Sequence, residues 1–551
     1  MTLTNSHDGP LHMNSETLAP NAADTASADA NPNADVAARR RDRRAALVVV
    51  LALFGVYLLT MGGHSYSVDG ETYLAGTRAL MHHTTVLDPG PDIDAVVIRV
   101  VNKNGGWTTA APIGTLLLFT PGAVVGSAVA HVFSGPSREE IFRLFYFSAN
   151  GLMTALTAGV LVLLCRRLGA SLRSAVLLAV VFGLGTWAWG HGQTDFSEPG
   201  TALMLTTAAL CSVRWWKAPT LRNAALVGFW AGCVGITRSS TLLFIPVFLI
   251  AGLVGNGENA QSRLRSCGAF ALGGVIPGLL FAANSWLRFG SLLDSGYPPM
   301  SYPTPVHEGL FGLFLSSGKG LIWYAPVCVV SLFAVRQSYL ANKRYAVTIA
   351  VVLAAHLAVY SRFFMWSGDN AYGPRYMVPV LPLLVALIAP VIDSGRHWGR
   401  GVKVAGIVGF LVPGLMGTLM YFNGVYYNQQ PHVASDFGMT EMTSVQQNIA
   451  WDFVPRTSPL TLSVHSLPAL ARNTRDRLDG KPGGFTPIPS NYEERIHWYA
   501  RAIELDTWWS WWSFRGDPAG AYALLLVPLA CFAGAGALGL RLLPRRSRLT
   551  T

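Results

Sequence analysis

About thirteen apolar runs, separated by short polar stretches, occupy most of this 551-residue chain, and such runs are what a chain needs to cross a hydrocarbon core of about 30 Å. Charged residues make up 13% of the sequence, about half the share found in soluble proteins. The chain is therefore predicted to be an all-α polytopic membrane protein, and soluble enzyme folds are excluded. We place the runs at about 45–62, 111–132, 141–165, 174–191, 199–213, 224–236, 240–254, 267–286, 321–335, 345–361, 376–393, 403–422 and 520–541.

Basic clusters between the runs predict the orientation, because Lys and Arg are enriched on the cytoplasmic side. If every run crossed once, the cluster at Arg166 and Arg167 would lie outside the membrane. The run at 111–132 contains Pro112, Gly114, Pro121 and Gly122. We therefore expect it to form a re-entrant or in-plane hairpin, which leaves about twelve crossings. The runs 224–236 and 240–254 are both short, and Arg238 lies between them. A single kinked helix that contains both runs is therefore the alternative to two separate spans.

The chain is predicted to have four parts. Residues 1–44 form a disordered cytoplasmic tail with a basic cluster, because they lack an apolar stretch. Residues 45–422 form a transmembrane core, 423–519 an extracytoplasmic segment, and 520–551 the last span with a basic cytoplasmic tail. The formal charge of +11 lies in short clusters between the runs, which indicates orientation and argues against nucleic-acid binding. The six cysteines form no CxxC pair and are interpreted as packing residues.

Two carboxylates, Asp69 and Glu71, follow the first span. A carboxylate at the mouth of a membrane cavity can act as a general base toward a hydroxyl group or help to hold a divalent cation. The alternative is a solvated turn. A second group, His191, Asp195 and Glu198, precedes the run that begins at Pro199. It is interpreted as an acceptor or metal site, with helix capping as the alternative.

Arg375 lies in a loop rich in glycine and aromatic residues at the predicted outer end of a helix. An arginine there needs a partner, and phosphate suits its fork of donors; a salt bridge to Asp369 is the alternative. Lys319 and Arg238 are similar outward cations. Leu313 and Gly320 exclude a Walker loop around Lys319, and no HExxH or GxSxG motif occurs in the sequence.

The 423–519 segment is long enough for a small cap domain. It ends in a cluster of tryptophans at 508, 509, 511 and 512. Tryptophans beside a final span typically form an interfacial belt, and sugar stacking is the alternative.

In chain order, the motifs resemble those of the bacterial GT-C-type integral membrane glycosyltransferases that use polyprenyl-phosphate-linked sugars. The resemblance covers about residues 45–395. It is carried by Asp69, Arg166-Arg167-Leu168-Gly169, Ser197-Glu198-Pro199, Arg288-Phe289-Gly290-Ser291, Ser295-Gly296-Tyr297, Ser316-Ser317-Gly318-Lys319-Gly320, Tyr324-Ala325-Pro326 and Gly373-Pro374-Arg375-Tyr376.

The resemblance implies an inverting transfer outside the cytoplasmic membrane, with Asp69 as the general base. Glu71, Asp195, Glu198 and His191 would form the second acidic, acceptor or metal site. Arg375, Lys319 and Arg238 would bind the donor phosphate, with the base on the opposite side of the reacting sugar. We expect the residues that contact the sugar to be Tyr73, Tyr372 and Asp369.

The chain departs from the family pattern at two places. Asp69-Gly70-Glu71 replaces a paired Asp-x-Asp motif, and Trp366-Ser367-Gly368 replaces an aromatic-Gly-Gly motif. A requirement for a divalent cation is therefore left open. The expected partners are a polyprenyl-phosphate-linked sugar, membrane lipids and a glycan, lipid or protein acceptor, without nucleic acid. A lipid or oligosaccharide transporter and a non-catalytic envelope scaffold remain as alternatives.

Overall fold

A computed structural model of the chain describes residues 32–87, 97–133, 136–254, 259–297, 300–369, 371–420, 422–479, 503–510 and 518–542. The chain divides into two compact units, residues 1–41 and residues 42–551. In the first unit, Asp35 and Arg39 form an exposed ion pair one helical turn apart.

Helices dominate the described ranges. In chain order they are α1 (Pro32–Thr60), α2 (Val68–Met81), α3 (Ile113–Ala130), α4 (Pro136–Arg167), α5 (Leu172–Leu184), α6 (Ala188–His191), α7 (Glu198–Lys217), α8 (Leu221–Thr237), α9 (Phe244–Leu253), α10 (Ala260–Phe289), α11 (Val306–Leu315), α12 (Leu321–Tyr324), α13 (Val327–Ala341), α14 (Lys343–Tyr360), α15 (Leu381–Ala386), α16 (Arg396–Gly409), α17 (Phe422–Asp436), α18 (Ser444–Phe453), α19 (Pro459–Leu478), α20 (Pro518–Leu524) and α21 (Leu526–Leu540). Two short antiparallel strands, β1 (Arg99–Val101) and β2 (Trp107–Thr109), pair between α2 and α3.

The prediction of an all-α polytopic membrane protein is confirmed. Among the described residues, six helices are long and apolar enough to cross a membrane, and five shorter apolar helices accompany them. Helix α10 exposes large apolar side chains, with Leu264 at 73% and Leu272 at 70%, as lipid contact requires. The count of twelve to thirteen crossings stays a prediction, as do the four predicted parts of the chain.

The prediction of a hairpin at 111–132 is wrong, because α3 is a single unbroken helix. Pro121 lies inside it and costs one backbone hydrogen bond without ending the helix. The glycines serve close packing instead. A Cβ at Gly122 would lie 2.7 Å from the carbonyl oxygen of Phe145 in α4, and one at Gly114 would lie 2.7 Å from the backbone of Ile236 in α8.

Arg238 breaks the pair of short runs into separate elements. Helix α8 ends at Thr237, a 3₁₀ turn spans Ser239–Leu243, and α9 follows. The kinked single helix is therefore absent, and Arg238 lies in extended backbone between two helical elements.

The described part of the 423–519 segment forms a small apolar cluster together with Met420. Its buried members are Met420, Val425, Val433, Ala450, Trp451, Leu462, Leu470 and Ile503. Trp508 is 3% exposed and its indole N–H donates to the carbonyl of Leu58 at 2.6 Å, so it packs against α1. Trp511 and Trp512 lie outside the described residues.

Candidate active site

Four charged side chains from distant parts of the chain meet beside the first turn of α2. Arg375 contacts Asp69 through Nη2, and its Nε donates to Glu198 Oε1 at 2.7 Å. Arg238 donates to the same Glu198 oxygen at 2.7 Å. The sequence singled out all four residues, and the structure brings them together as a network of alternating charge.

Local sequence positions Asp69 in this network. Ser67 caps α2, its hydroxyl accepting from the amide of Gly70 at 3.0 Å, so Asp69 lies in the first helical turn, where a carboxylate is favoured. A quarter of its side chain is exposed, against 12% for Arg375 and none for Glu198. Asp69 is therefore the carboxylate of the network that a ligand can reach.

Aromatic rings surround the two guanidinium groups. Arg375 lies over the ring of Phe196 at 3.9 Å, and Arg238 lies over Tyr376 at 5.0 Å and donates to the Tyr360 hydroxyl at 2.6 Å. Flat guanidinium groups stack well on such rings and keep their donors free at the edge. The rings thus hold both cations in place around Glu198.

The electrostatics of Glu198 follow from its two cationic neighbours. Burial by itself would raise the pKa of this carboxyl, but Arg375 and Arg238 outweigh burial and lower the pKa to about 2. Glu198 is therefore ionised throughout the physiological range. A buried carboxylate in this state holds both guanidinium groups as a fixed negative charge.

The lowered pKa of Glu198 predicts an acid-sensitive stability. A carboxyl whose pKa falls from the ordinary 4.5 to about 2 on folding stabilises the protein above pH 4.5, and this contribution is lost as the pH falls toward 2. Thermal unfolding of the detergent-solubilised protein between pH 6 and pH 3 should show this loss. Glu198→Gln should show a smaller loss over the same range, whereas Glu308→Gln, at an exposed position, should follow the wild type. Equal pH dependence in all three proteins would contradict the assignment.

Asp195 holds a loop, which corrects its expected place in an acceptor or metal site. Its carboxylate accepts from the amides of Tyr66 and Ser67 at 2.7 and 3.1 Å and from the hydroxyls of Ser65 and Ser67 at 2.9 and 2.8 Å. Gly70 leaves room for it, since a Cβ there would overlap the Asp195 side chain. Burial raises the pKa of Asp195 to about 6, against the opposing effect of these hydrogen bonds.

Glu71 also lies away from the central network. It pairs with Arg143 of α4, which in turn donates to Glu139 at 2.7 Å. Arg78 closes this second network by donating to both Glu139 oxygens at 2.6 and 2.7 Å. Glu71 therefore ties α2 to α4, whereas we expected it in the second acidic, acceptor or metal site.

His191 was also expected in the second acidic, acceptor or metal site, and the structure gives it a different contact. Its Nε2 donates to the carbonyl of Tyr372 at 2.8 Å, whereas Asp195 binds the loop at residues 65–67 and Glu198 binds the two arginines. His191, Asp195 and Glu198 are close in sequence, but each binds a different part of the structure. Within the part of the chain that the structure describes, no three His, Cys, Asp or Glu side chains form a metal-binding group.

Lys319 is fully buried and braces the loop that carries Arg375. Its ammonium donates to the carbonyls of Asp369 and Ala371 at 2.7 and 2.6 Å. Arg375 pairs with Asp69 and Glu198, so the alternative of a salt bridge to Asp369 does not hold; Asp369 is exposed, at a φ of 56°. Tyr372 is buried, with its hydroxyl bonded to the Pro413 carbonyl at 2.9 Å. Neither Lys319 nor Tyr372 therefore reaches the central network.

Two tyrosines flank Asp69. Tyr73 follows it by one helical turn and is buried, and burial together with the Asp69 charge raises its pKa. Tyr297, which the resemblance motif includes without a role, has a pKa raised to about 12 by burial and by Asp69. Both hydroxyls therefore stay protonated in the physiological range.

Comparison with solved structures finds a crystal structure of ArnT from Cupriavidus metallidurans in the apo state. The match covers 86% of this chain and 86% of that chain, with 14% sequence identity and a TM-score of 0.45. No family model and no curated protein matches the sequence. The roles of the individual residues therefore rest on the geometry of this chain.

Sequence reasoning missed several contributors to the site. Arg143 carries a usable signal, because it is a cation near the start of an apolar run on the predicted outer side. Phe196 directly precedes the Ser197-Glu198-Pro199 motif. His64 and Asp506 are 442 residues apart, and no local pattern predicts that they meet.

Proposed function

We propose that the protein is a membrane glycosyltransferase that transfers a sugar from a polyprenyl-phosphate donor to a cell-envelope acceptor with inversion. The observation that carries this proposal is the contact between Asp69 and Arg375, with Glu198 and Arg238 behind it. Arg375 contacts the partly exposed Asp69, which we propose as the base, and Arg238 lies beside Arg375 on the same Glu198 oxygen. We propose that the two guanidinium groups bind the donor phosphate. That arrangement supplies both groups that such a transfer needs.

The proposed reaction is a single displacement at the anomeric carbon. An acceptor hydroxyl attacks that carbon while Asp69 takes its proton, and the bond to the phosphate oxygen breaks with its electron pair going to the leaving phosphate. Arg375 moves from Asp69 to the developing phosphate charge, with Arg238 in support. Asp69 and Arg375 are in direct contact, because buried guanidinium groups need carboxylate partners. An in-line displacement requires this contact to open, so that the base and the phosphate lie on opposite faces of the sugar.

The geometry of α4 supports an extracytoplasmic site. Asn150 of α4 donates to the carbonyls of Thr194 and Phe196 beside the network, at 2.7 and 2.8 Å. Sixteen residues separate Asn150 from Arg166, which corresponds to about 24 Å along a helix. Arg166 pairs with Asp42 at 3.0 Å. The basic cluster at Arg166 is predicted to be cytoplasmic, so we expect the network to lie toward the opposite, extracytoplasmic side.

An apolar groove supports a lipid-linked donor. It has a volume of about 380 Å³ and lies between α1, α3, α4 and the C-terminal helices. Leu118, which lines it, would lie 2.6 Å from a Cβ at Gly200, two residues after Glu198. A prenyl chain in this groove would gain about 0.8 kcal/mol per buried methylene and would bring its phosphate toward the network.

The groove predicts that donor use depends on chain length. Val125 lines the groove and is 48% exposed, whereas its neighbour Val124, at 53%, does not line it. We expect Val125→Trp to raise the KM for long-chain donors about tenfold, because an indole displaces part of the chain. The KM for short-chain donors should change little. Val124→Trp is the matched control, and equal effects of both variants would contradict the groove assignment.

A further inference from the structure

We propose that the 423–519 segment positions the active site through two buried aspartates, Asp506 and Asp452. Each holds one of the two loops that carry Asp69 and Arg375. The inference rests on the proposed function for its effect on turnover. Its structural part, the holding of each loop, can be measured without any sugar transfer.

Asp506 holds the loop that precedes α2. Its two carboxylate oxygens accept from His64 Nε2 at 2.7 Å and from the Tyr66 hydroxyl at 2.6 Å, and its side chain is 3% exposed. The chain around Asp506 is itself anchored. Its own amide donates to the Leu419 carbonyl at 3.0 Å, and the amide of Trp508 donates to the Met61 carbonyl at 2.9 Å.

Two carboxylates therefore hold the same loop. Asp195 binds the backbone of residues 66 and 67, and Asp506 binds the side chains of residues 64 and 66. Ser67 then caps α2 and places Asp69 in the first turn. Loss of either carboxylate frees the loop on one side, so the position of Asp69 depends on the 423–519 segment as well as on the core.

Asp452 acts on the other loop through Lys319. Its backbone carbonyl accepts from the amide of Gly318 at 3.0 Å, and its carboxylate, which is 4% exposed, attracts the Lys319 ammonium electrostatically. Gly318 permits this approach, because a Cβ there would collide with the Trp451 carbonyl. Lys319 in turn donates to the backbone carbonyls of residues 369 and 371, which lie a few residues before Arg375.

If the 423–519 segment only covered the core, it would not need buried aspartates next to the loops that carry Asp69 and Arg375. A buried aspartate costs free energy unless it is paired and hydrogen-bonded, and both carboxylate oxygens of Asp506 are bonded to His64 and Tyr66 of the loop before α2. Catalytic geometry is sensitive to such support, since a displacement of about 1 Å can cost about 100-fold in rate. The segment is therefore expected to affect turnover more than donor binding.

The first test measures turnover by full-length Asp506→Asn in liposomes. Asparagine keeps the shape and removes the charge, and we expect kcat to fall about tenfold or more with the KM for the donor within about threefold. Asp436→Asn, an exposed position in the same segment, is the matched control and should retain wild-type kcat. In a double-mutant cycle, Tyr66→Phe and Asp506→Asn should be non-additive, because the two groups share one hydrogen bond.

Hydrogen exchange on the same proteins tests the positioning without any activity. Asp506→Asn should speed exchange in residues 64–81, and Asp452→Asn should speed it in residues 371–378, with the rest of each chain unchanged. Local and separate effects support the proposal even if the wild type transfers no sugar, in which case the proposed function alone fails. Unchanged exchange, or faster exchange over the whole chain in either variant, overturns the positioning role, as does wild-type kcat in Asp506→Asn.

Discussion

Asp69→Asn is expected to lower kcat for sugar transfer about 10²- to 10⁴-fold, the range that a general base contributes. The substitution removes the proposed proton acceptor but keeps the size of the side chain. Arg375 retains its bond to Glu198, so binding of the donor phosphate should change less than about threefold. Steady-state kinetics with purified protein in liposomes, together with donor binding at equilibrium, separate the two effects.

The control for this prediction is Asp479→Asn, which removes an exposed carboxylate whose ion pair to Arg475 is 3.9 Å long. It should behave as the wild type, because an exposed pair of this kind contributes little. Wild-type turnover by Asp69→Asn would exclude Asp69 as the base.

Arg375→Gln is expected to lower both activity and stability. It removes one of the two cations that hold the buried Glu198 carboxylate, and breaking a buried pair from one side costs about 3–5 kcal/mol. Arg238 remains in contact with Glu198, which places the expected loss at the lower end of that range. Loss of a charge that stabilises the leaving phosphate should lower kcat/KM about 10²- to 10³-fold.

Thermal unfolding and transfer kinetics on the same preparations check this prediction. Arg375→Lys keeps the positive charge but not the fork of donors, so it should recover part of the stability and little of the activity. Arg362→Gln alters an exposed arginine of the same loop and should change neither. An unfolding temperature and a kcat/KM equal to those of the wild type in Arg375→Gln would contradict the account of the network.

The fold class and the members of the network could be predicted from the sequence because both depend on burial. Apolar runs have to be helices in a membrane, since every backbone group must be hydrogen-bonded. Asp69, Glu198, Arg238 and Arg375 are charged residues at the ends of such runs, and buried charges need partners. The need of each buried charge for a partner of opposite sign explains why the four side chains lie together.

The exact pairing could not be predicted, because it depends on which way each side chain points. Glu71 lies two residues after Asp69 on one helix, so its side chain points about 200° away, toward Arg143 of α4. Asp195 precedes α7 whereas Glu198 begins it, and this difference sends the two carboxylates to different partners.

Contacts between distant segments gave no sequence signal. Asp506 reaches Tyr66 across 440 residues, and neither position stands out by composition or periodicity. The prolines and glycines of α3 gave a misleading signal. They indicate a break in a helix when taken alone, but in α3 the glycines allow contact with the backbones of α4 and α8.

We propose that this membrane protein moves a sugar from a lipid phosphate to an acceptor. The most direct test incubates the purified full-length protein in liposomes with a panel of radiolabelled polyprenyl-phosphate sugars and envelope acceptors, and then determines the anomeric configuration of the product. We expect one donor to be consumed, with its label recovered in the acceptor at inverted configuration. Donor that remains intact with every acceptor, or label that only crosses the bilayer, would contradict the account.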